Sequence, residues 1–225
     1  MATRTTLALL ATPTLAAVAF SVVLAPHAIG DGGCGPDAGP PPHATSKDVS
    51  AVYGQPATLW ISDVKVGIAT PQGYSSAEIH SPSPLQRSAL MIDAQQDGNH
   101  QVIVDTGREA ILYTVIGCTI APAVDERGLP FRFDLGHRRA LGDGIGCSDL
   151  GDGRHLVQLL QLRDEQGNPL LEVRRTEVDV TGPVATTGRS DTVTAASEQD
   201  PAWTTAAGIS CGDLTMAGDG VSAPY

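Results

Sequence analysis

The sequence predicts an all-β fold, and three observations carry that prediction. Short apolar runs alternate with polar residues at period two; Gly, Pro, Asp and Asn punctuate them every few residues; and no long stretch repeats at the helical period. At 225 residues, 41% of them hydrophobic, the chain is long enough to bury one core.

Residues 1–30 read as a signal peptide, because Leu7 to Ala25 carry no charge, Arg4 precedes them, and small residues around Ala28 and Gly30 follow. Pro13, the threonines and the alanine-rich makeup argue against a retained membrane anchor. Cys34 follows Asp31-Gly32-Gly33, and an aspartate there suits a lipid-attachment site badly, which leaves Cys34 as a disulfide partner. Residues 31–56, with Gly-Pro-Asp-Ala-Gly-Pro-Pro-Pro at 35–42, read as a surface linker, and residues 57–225 as the β domain, its core starting near Thr58.

Within that domain, strands are expected at Leu59–Ile61 continuing through Val64–Ile68, then at Leu90–Ile92, Val102–Val104, Ala110–Ile116, Phe131–Phe133, His155–Leu162, Leu170–Val180 and Asp191–Ala195. The clearest pair is a hairpin in which His155–Leu162 and Leu170–Val180 flank the polar connection Asp164-Glu165-Gln166-Gly167-Asn168. Gly142-Asp-Gly144-Ile-Gly146 has an acid inside it and no lysine after it, so it is no phosphate loop and reads as a flexible approach to Cys147.

The net charge of -11 becomes -12 once the leader and its Arg4 are removed. Arg138-Arg139 and Arg174-Arg175 are isolated pairs, so nothing offers the cationic stripe that nucleic acid requires. The four cysteines lack Cys-x-x-Cys spacing, which argues against zinc and for two disulfides in an exported chain. The expected pairing is Cys118 with Cys147, closing a loop of about 28 residues worth about 3–4 kcal/mol, with Cys34 and Cys211 tying the ends.

Asp93-Ala-Gln-Gln-Asp97-Gly98-Asn99-His100 recurs as Asp149-Leu-Gly-Asp152-Gly153-Arg154-His155, with 55 residues from Asp97 to Asp152 and from His100 to His155. A looser echo follows at Cys211-Gly-Asp213-Leu214 and Gly218-Asp219-Gly220. Over roughly residues 85–220 the chain resembles the FG-GAP/VCBS-type repeats of exported β-propeller-like proteins, marked by Asp-x-Asp-x-Asp-Gly-x-x-Asp leading into a strand. It looks most like uncharacterised actinobacterial and mycobacterial secreted proteins. The resemblance implies a small or incomplete β-propeller, with a β-sandwich as the alternative, since this period gives only about three to four units where propellers close with about 4–8 blades.

In that family the loop binds calcium through carboxylates on alternate residues. Here Gln95 and Gln101 replace acids, leaving Asp93, Asp97 and the Asn99 carbonyl as a weak calcium set, no tighter than about 10^-3 M, the millimolar end of extracellular modules. The second loop is one residue shorter and keeps Asp149 and Asp152. Its expected role, like that of the first, is a turn whose aspartates cap backbone N–H groups.

Catalytic readings are weaker. His100 and His155 each follow an Asp-Gly-x run but stand at strand starts, where histidines usually serve structure; Asp134, Asp143, Asp149 and Asp152 cluster without a nearby Trp60 or Trp203; no Gly-x-Ser-x-Gly elbow exists. The expectation is a secreted or envelope-associated, non-enzymatic domain that binds an extracellular protein or glycan, without nucleic acid, membrane span or required cofactor. The alternative is an exported hydrolase using the clustered carboxylates.

Overall fold

The computed structural model describes residues 39–135 and 142–224, so the predicted leader, Cys34 and Arg138-Arg139 lie outside the described residues. The first sheet is an antiparallel meander of β1 (Thr45–Val52), β2 (Gln55–Ile61), β3 (Lys65–Thr70) and β4 (Gly73–Glu78) in that spatial order. The second repeats the pattern with β5 (Ser88–Ile92), β6 (His100–Asp105), β7 (Glu109–Ile116) and β8 (Thr119–Pro122), and β9 (Arg132–Asp134) also pairs with β7. The third is β10 (Asp143–Asp149), β11 (Arg154–Arg163), β12 (Pro169–Thr181) and β13 (Val184–Thr194). After a short helix α1 (Pro201–Thr204), the chain makes a hairpin of β14 (Ser210–Cys211) and β15 (Leu214–Thr215), a turn of helix α2 (Met216–Asp219), and β16 (Val221–Ser222), which returns beside β5. The fold is all-β, and among the described residues no helix is long and apolar enough to cross a membrane.

The second sheet is the middle layer, and its side-chain alternation explains why. Ala89, Met91, Val102, Val104, Ile111, Tyr113 and Val115 meet Leu59, Ile61, Val66 and Ile68 of the first sheet. The intervening residues Leu90, Ile92, Ile103, Ala110 and Leu112 meet Ile145, Leu156, Val178 and Ala185 of the third. Every residue of β6 is buried, as a strand covered on both faces must be. The third sheet keeps one outward face, and only part of it is covered. Trp203 and Ala206 pack there on Val157, Leu159 and Val173.

The predicted hairpin forms as expected, with β11 and β12 in register from Leu156↔Val178 to Gln161↔Val173. Asp164 Oδ1 accepts from the N–H groups of Gln166 and Asn168 at 2.9 and 2.8 Å, which closes the connecting turn.

Three expectations are corrected. The linker ends at Thr45 rather than residue 56, because Thr45–Val52 is a strand at a sheet edge whose side chains are mostly solvent-facing and so show no apolar alternation. The glycines at 142–146 approach and then enter β10 rather than a flexible segment. A Cβ on Gly144 would stand 2.4 Å from the carbonyl oxygens of Ala206 and Gly208, so this glycine lets the C-terminal segment lie directly on the strand. That contact also re-pairs the cysteines. Ile145 donates its N–H to Gly208 O at 2.9 Å, which brings Cys211 beside the strand, and Cys147 bonds to Cys211, not to Cys118. Cys118 is itself disulfide-bonded.

Candidate functional site

The two repeat loops occupy the same place in successive sheets, each joining the first strand of a meander to the second. In the first, Asp93 accepts from the N–H groups of Asp97 (3.1 Å) and Gly98 (2.9 Å). Asp97 accepts from the Asn99 N–H (2.9 Å) and side-chain amide (2.8 Å). The Asn99 N–H is the main reason the Asp97 carboxyl sits below its ordinary value. Gln101 bridges the loop by accepting from Ala94 N–H and donating to the Asn99 carbonyl at 2.8 Å. The candidate calcium ligands Asp93, Asp97 and Asn99 therefore stand together, each already engaged inside the loop.

In the second loop Asp149 takes the capping role. Its Oδ1 accepts from Gly151 N–H (2.6 Å) and Gly153 N–H (3.1 Å), and these bonds hold its carboxyl below the ordinary value. Asp152 is left to turn outward, where it pairs with Arg189 and lies 3.5 Å from His155 Nε2.

His155 stands on the outward face of the third sheet, in the same alternation as Val157 and Leu159. The partner strand sets Arg175, Glu177 and Asp179 on that face, continuing from Val173. The face thus divides, with an apolar half under Trp203 and a charged half at the loop end. In the charged half Arg175 grips Asp191 through Nε at 2.8 Å and through a second short contact, which lowers the Asp191 carboxyl.

Beside it lies the tightest constellation. His155 Nε2 is 3.8 Å from Glu177 Oε1, and one donor atom each of Asp152, His155 and Glu177 lie within 4.8 Å of one another. His155 Nδ1 is 3.1 Å from Asp179 Oδ1, a separation within reach but off the line of a formed hydrogen bond. Arg189 Nε lies 3.3 Å from Glu177 Oε2. Glu177 is only 4% exposed, and its Oε1 accepts no hydrogen bond. A bulge makes the crowding possible: the register shifts between Thr176 and Val178, so Gly188 and Arg189 face Glu177 together. A Cβ on Gly188 would come within 2.9 Å of Asp179 Oδ2 and 3.1 Å of Glu177 Oε2, so glycine makes room for both carboxylates.

The other catalytic candidates are not gathered. Asp143 and Asp149 stand at opposite ends of β10. Burial, and then the neighbouring charge of Asp134, raise the Asp143 carboxyl. His100 is buried and its Nδ1 has no partner. Trp203 packs in the apolar half of the outward face, and its carbonyl accepts from Gln161 at 2.7 Å. Glu177, Asp179 and Arg189 were not anticipated from sequence. The signal was the pair of acids two residues apart inside a strand pattern, which puts both carboxylates on one face.

Comparison with known protein families, with curated proteins and with solved structures returns no match to this chain.

Proposed function

We propose that the chain is an exported, non-enzymatic binding domain that meets an extracellular protein or glycan with the charged half of the third sheet's outward face. The observation that carries this reading is the partition of that face. Its apolar half is covered by Trp203 and Ala206, while Arg175, Asp191, Asp152, His155, Asp179 and Arg189 remain at the surface and are held in place by mutual ion pairs. A polar surface pre-ordered in this way loses little side-chain entropy on meeting a polar ligand. Three successive four-stranded meanders, packed face to face, support a small or incomplete propeller as the scaffold, and the repeated loop position supports the FG-GAP-like relationship. The same face-to-face packing suits a layered sandwich.

A second reading, an exported hydrolase, is favoured by one feature. Asp105 and Asp143 line a common cleft of about 660 Å³ with Thr204, Ser210 and Thr215, and the raised Asp143 carboxyl has the character of a general acid. Incubating the purified chain with pooled glycoside, ester and peptide substrates separates the two. The binding reading expects no turnover. Turnover that disappears in Asp143→Asn establishes the hydrolase instead.

A further inference from the structure

We infer that Asp152, His155 and Glu177 form a binding site for a divalent transition-metal ion of the zinc type, with Asp179 as the group that orients the histidine. The inference rests on the third sheet alone and stands whether or not the surrounding face binds a glycan or protein. It is separate from the calcium-type loop at Asp93 and Asp97, because its ligands come from a sheet face and include an imidazole nitrogen.

Geometry supplies the first argument. Ligand atoms about 2.0–2.1 Å from one ion at the tetrahedral angle stand about 3.3 Å apart. His155 Nε2 lies 3.5 Å from Asp152 Oδ1 and 3.8 Å from Glu177 Oε1, so a small inward movement of side chains gathers three donors around one ion. The fourth direction opens to solvent past Asp152, whose side chain is 55% exposed.

Proton placement supplies the second argument. An imidazole that ligates a metal through Nε2 carries its proton on Nδ1, and here Nδ1 faces Asp179 at 3.1 Å while Nε2 faces carboxylate oxygens of Asp152 and Glu177. A carboxylate behind the distal nitrogen of a ligating histidine is the usual arrangement in zinc sites, where it fixes the tautomer and strengthens the donor.

Glu177 supplies the third. A carboxylate oxygen that is buried and accepts no hydrogen bond is costly to maintain, and this one is aimed at the gap between Asp152 and His155. Arg189 offsets part of the charge: its Nε reaches the other Glu177 oxygen, Oε2, and its Nη2 pairs with Asp152 Oδ1, the oxygen an ion would take over. Three carboxylates, one guanidinium and a neutral imidazole leave a formal charge of -2, matched by one divalent ion. The Arg189 side chain is 44% exposed, so an entering ion displaces it from both carboxylates toward solvent.

Isothermal titration of the full folded chain with ZnCl2 in chelator-free buffer tests this. One equivalent is expected to bind. Affinity should fall by about tenfold or more in His155→Gln, and by about 10–100-fold in Asp179→Asn, which removes only the orienting carboxylate. Arg189→Gln should bind zinc more tightly than the wild type, since it removes the competing cation. Asp179 is 43% exposed, so Asp179→Asn carries the test if His155→Gln fails to fold. No saturable zinc binding, or binding of equal affinity in wild type and Asp179→Asn, overturns the inference.

Discussion

Asp97 and Asp152 stand 55 residues apart at corresponding points of two hairpins, yet Asp97 turns back onto its own loop while Asp152 faces Arg189 and His155. The histidines that follow diverge in the same way. His100 starts a strand covered on both faces and is itself buried, whereas His155 is the second residue of a strand with one outward face and meets carboxylates from the neighbouring strand. The missing residue in the second loop accounts for part of this. Asp149 alone caps Gly151 and Gly153, so Asp152 has no backbone N–H to satisfy. The repeat therefore sets where a loop lies, and the layer it lies in sets what its side chains do.

The largest expected effect comes from the covalent tie that only the second repeat makes to the C-terminal segment. Cys147 and Cys211 are 64 residues apart in sequence, and the loop-entropy model assigns such a bridge about 4 kcal/mol. The double variant Cys147→Ala/Cys211→Ala should lose about that much in urea unfolding. A loss below about 1 kcal/mol would mean that the β10 contact with residues 206–209 holds without it.

Much of the fold was legible because apolar residues mark a strand wherever it faces a neighbouring sheet, as continuous runs in the doubly covered β5, β6 and β7 and as the apolar stretch of β11. The strands missed were those whose side chains tell little: β1 and β4 at the sheet edges, with mostly exposed or small residues, β10, whose Gly144 faces the C-terminal segment, and the short β8, β14, β15 and β16, of two to four residues each. The cysteine partner was missed for the same reason, since a parallel bridge from Ile145 to Ile209 leaves no local mark in the sequence. For the candidate site, Asp152 and His155 stood out through the repeat. Glu177 and Arg189 reach them only through strand pairing and a bulge, which a linear pattern does not encode.

A smaller effect distinguishes capping from ion pairing by pH. Backbone N–H groups hold the Asp97 and Asp149 carboxyls below 3.8, so the folded state resists protonation more than the unfolded chain. Their contribution is full above that value and is lost as pH falls through the folded values. The stability deficit of Asp97→Asn and of Asp149→Asn, measured by urea unfolding, should therefore shrink between pH 5 and pH 2, about the range over which carboxylates protonate. A deficit that is the same at both ends would show that the caps contribute nothing electrostatic.

The comparison is tested most directly by thermal melting of the wild type, Asp97→Asn and Asp152→Asn, each in EDTA, in 1 mM CaCl2 and in excess ZnCl2. Calcium at a millimolar site adds only about 0.4 kcal/mol and should barely move any of the three midpoints. Zinc at about a hundred times its dissociation constant adds about 2.7 kcal/mol. That raises the wild type and Asp97→Asn by several degrees and leaves Asp152→Asn nearly unmoved. A zinc response that survives Asp152→Asn and vanishes in Asp97→Asn would contradict the account and place the functional loop in the middle sheet.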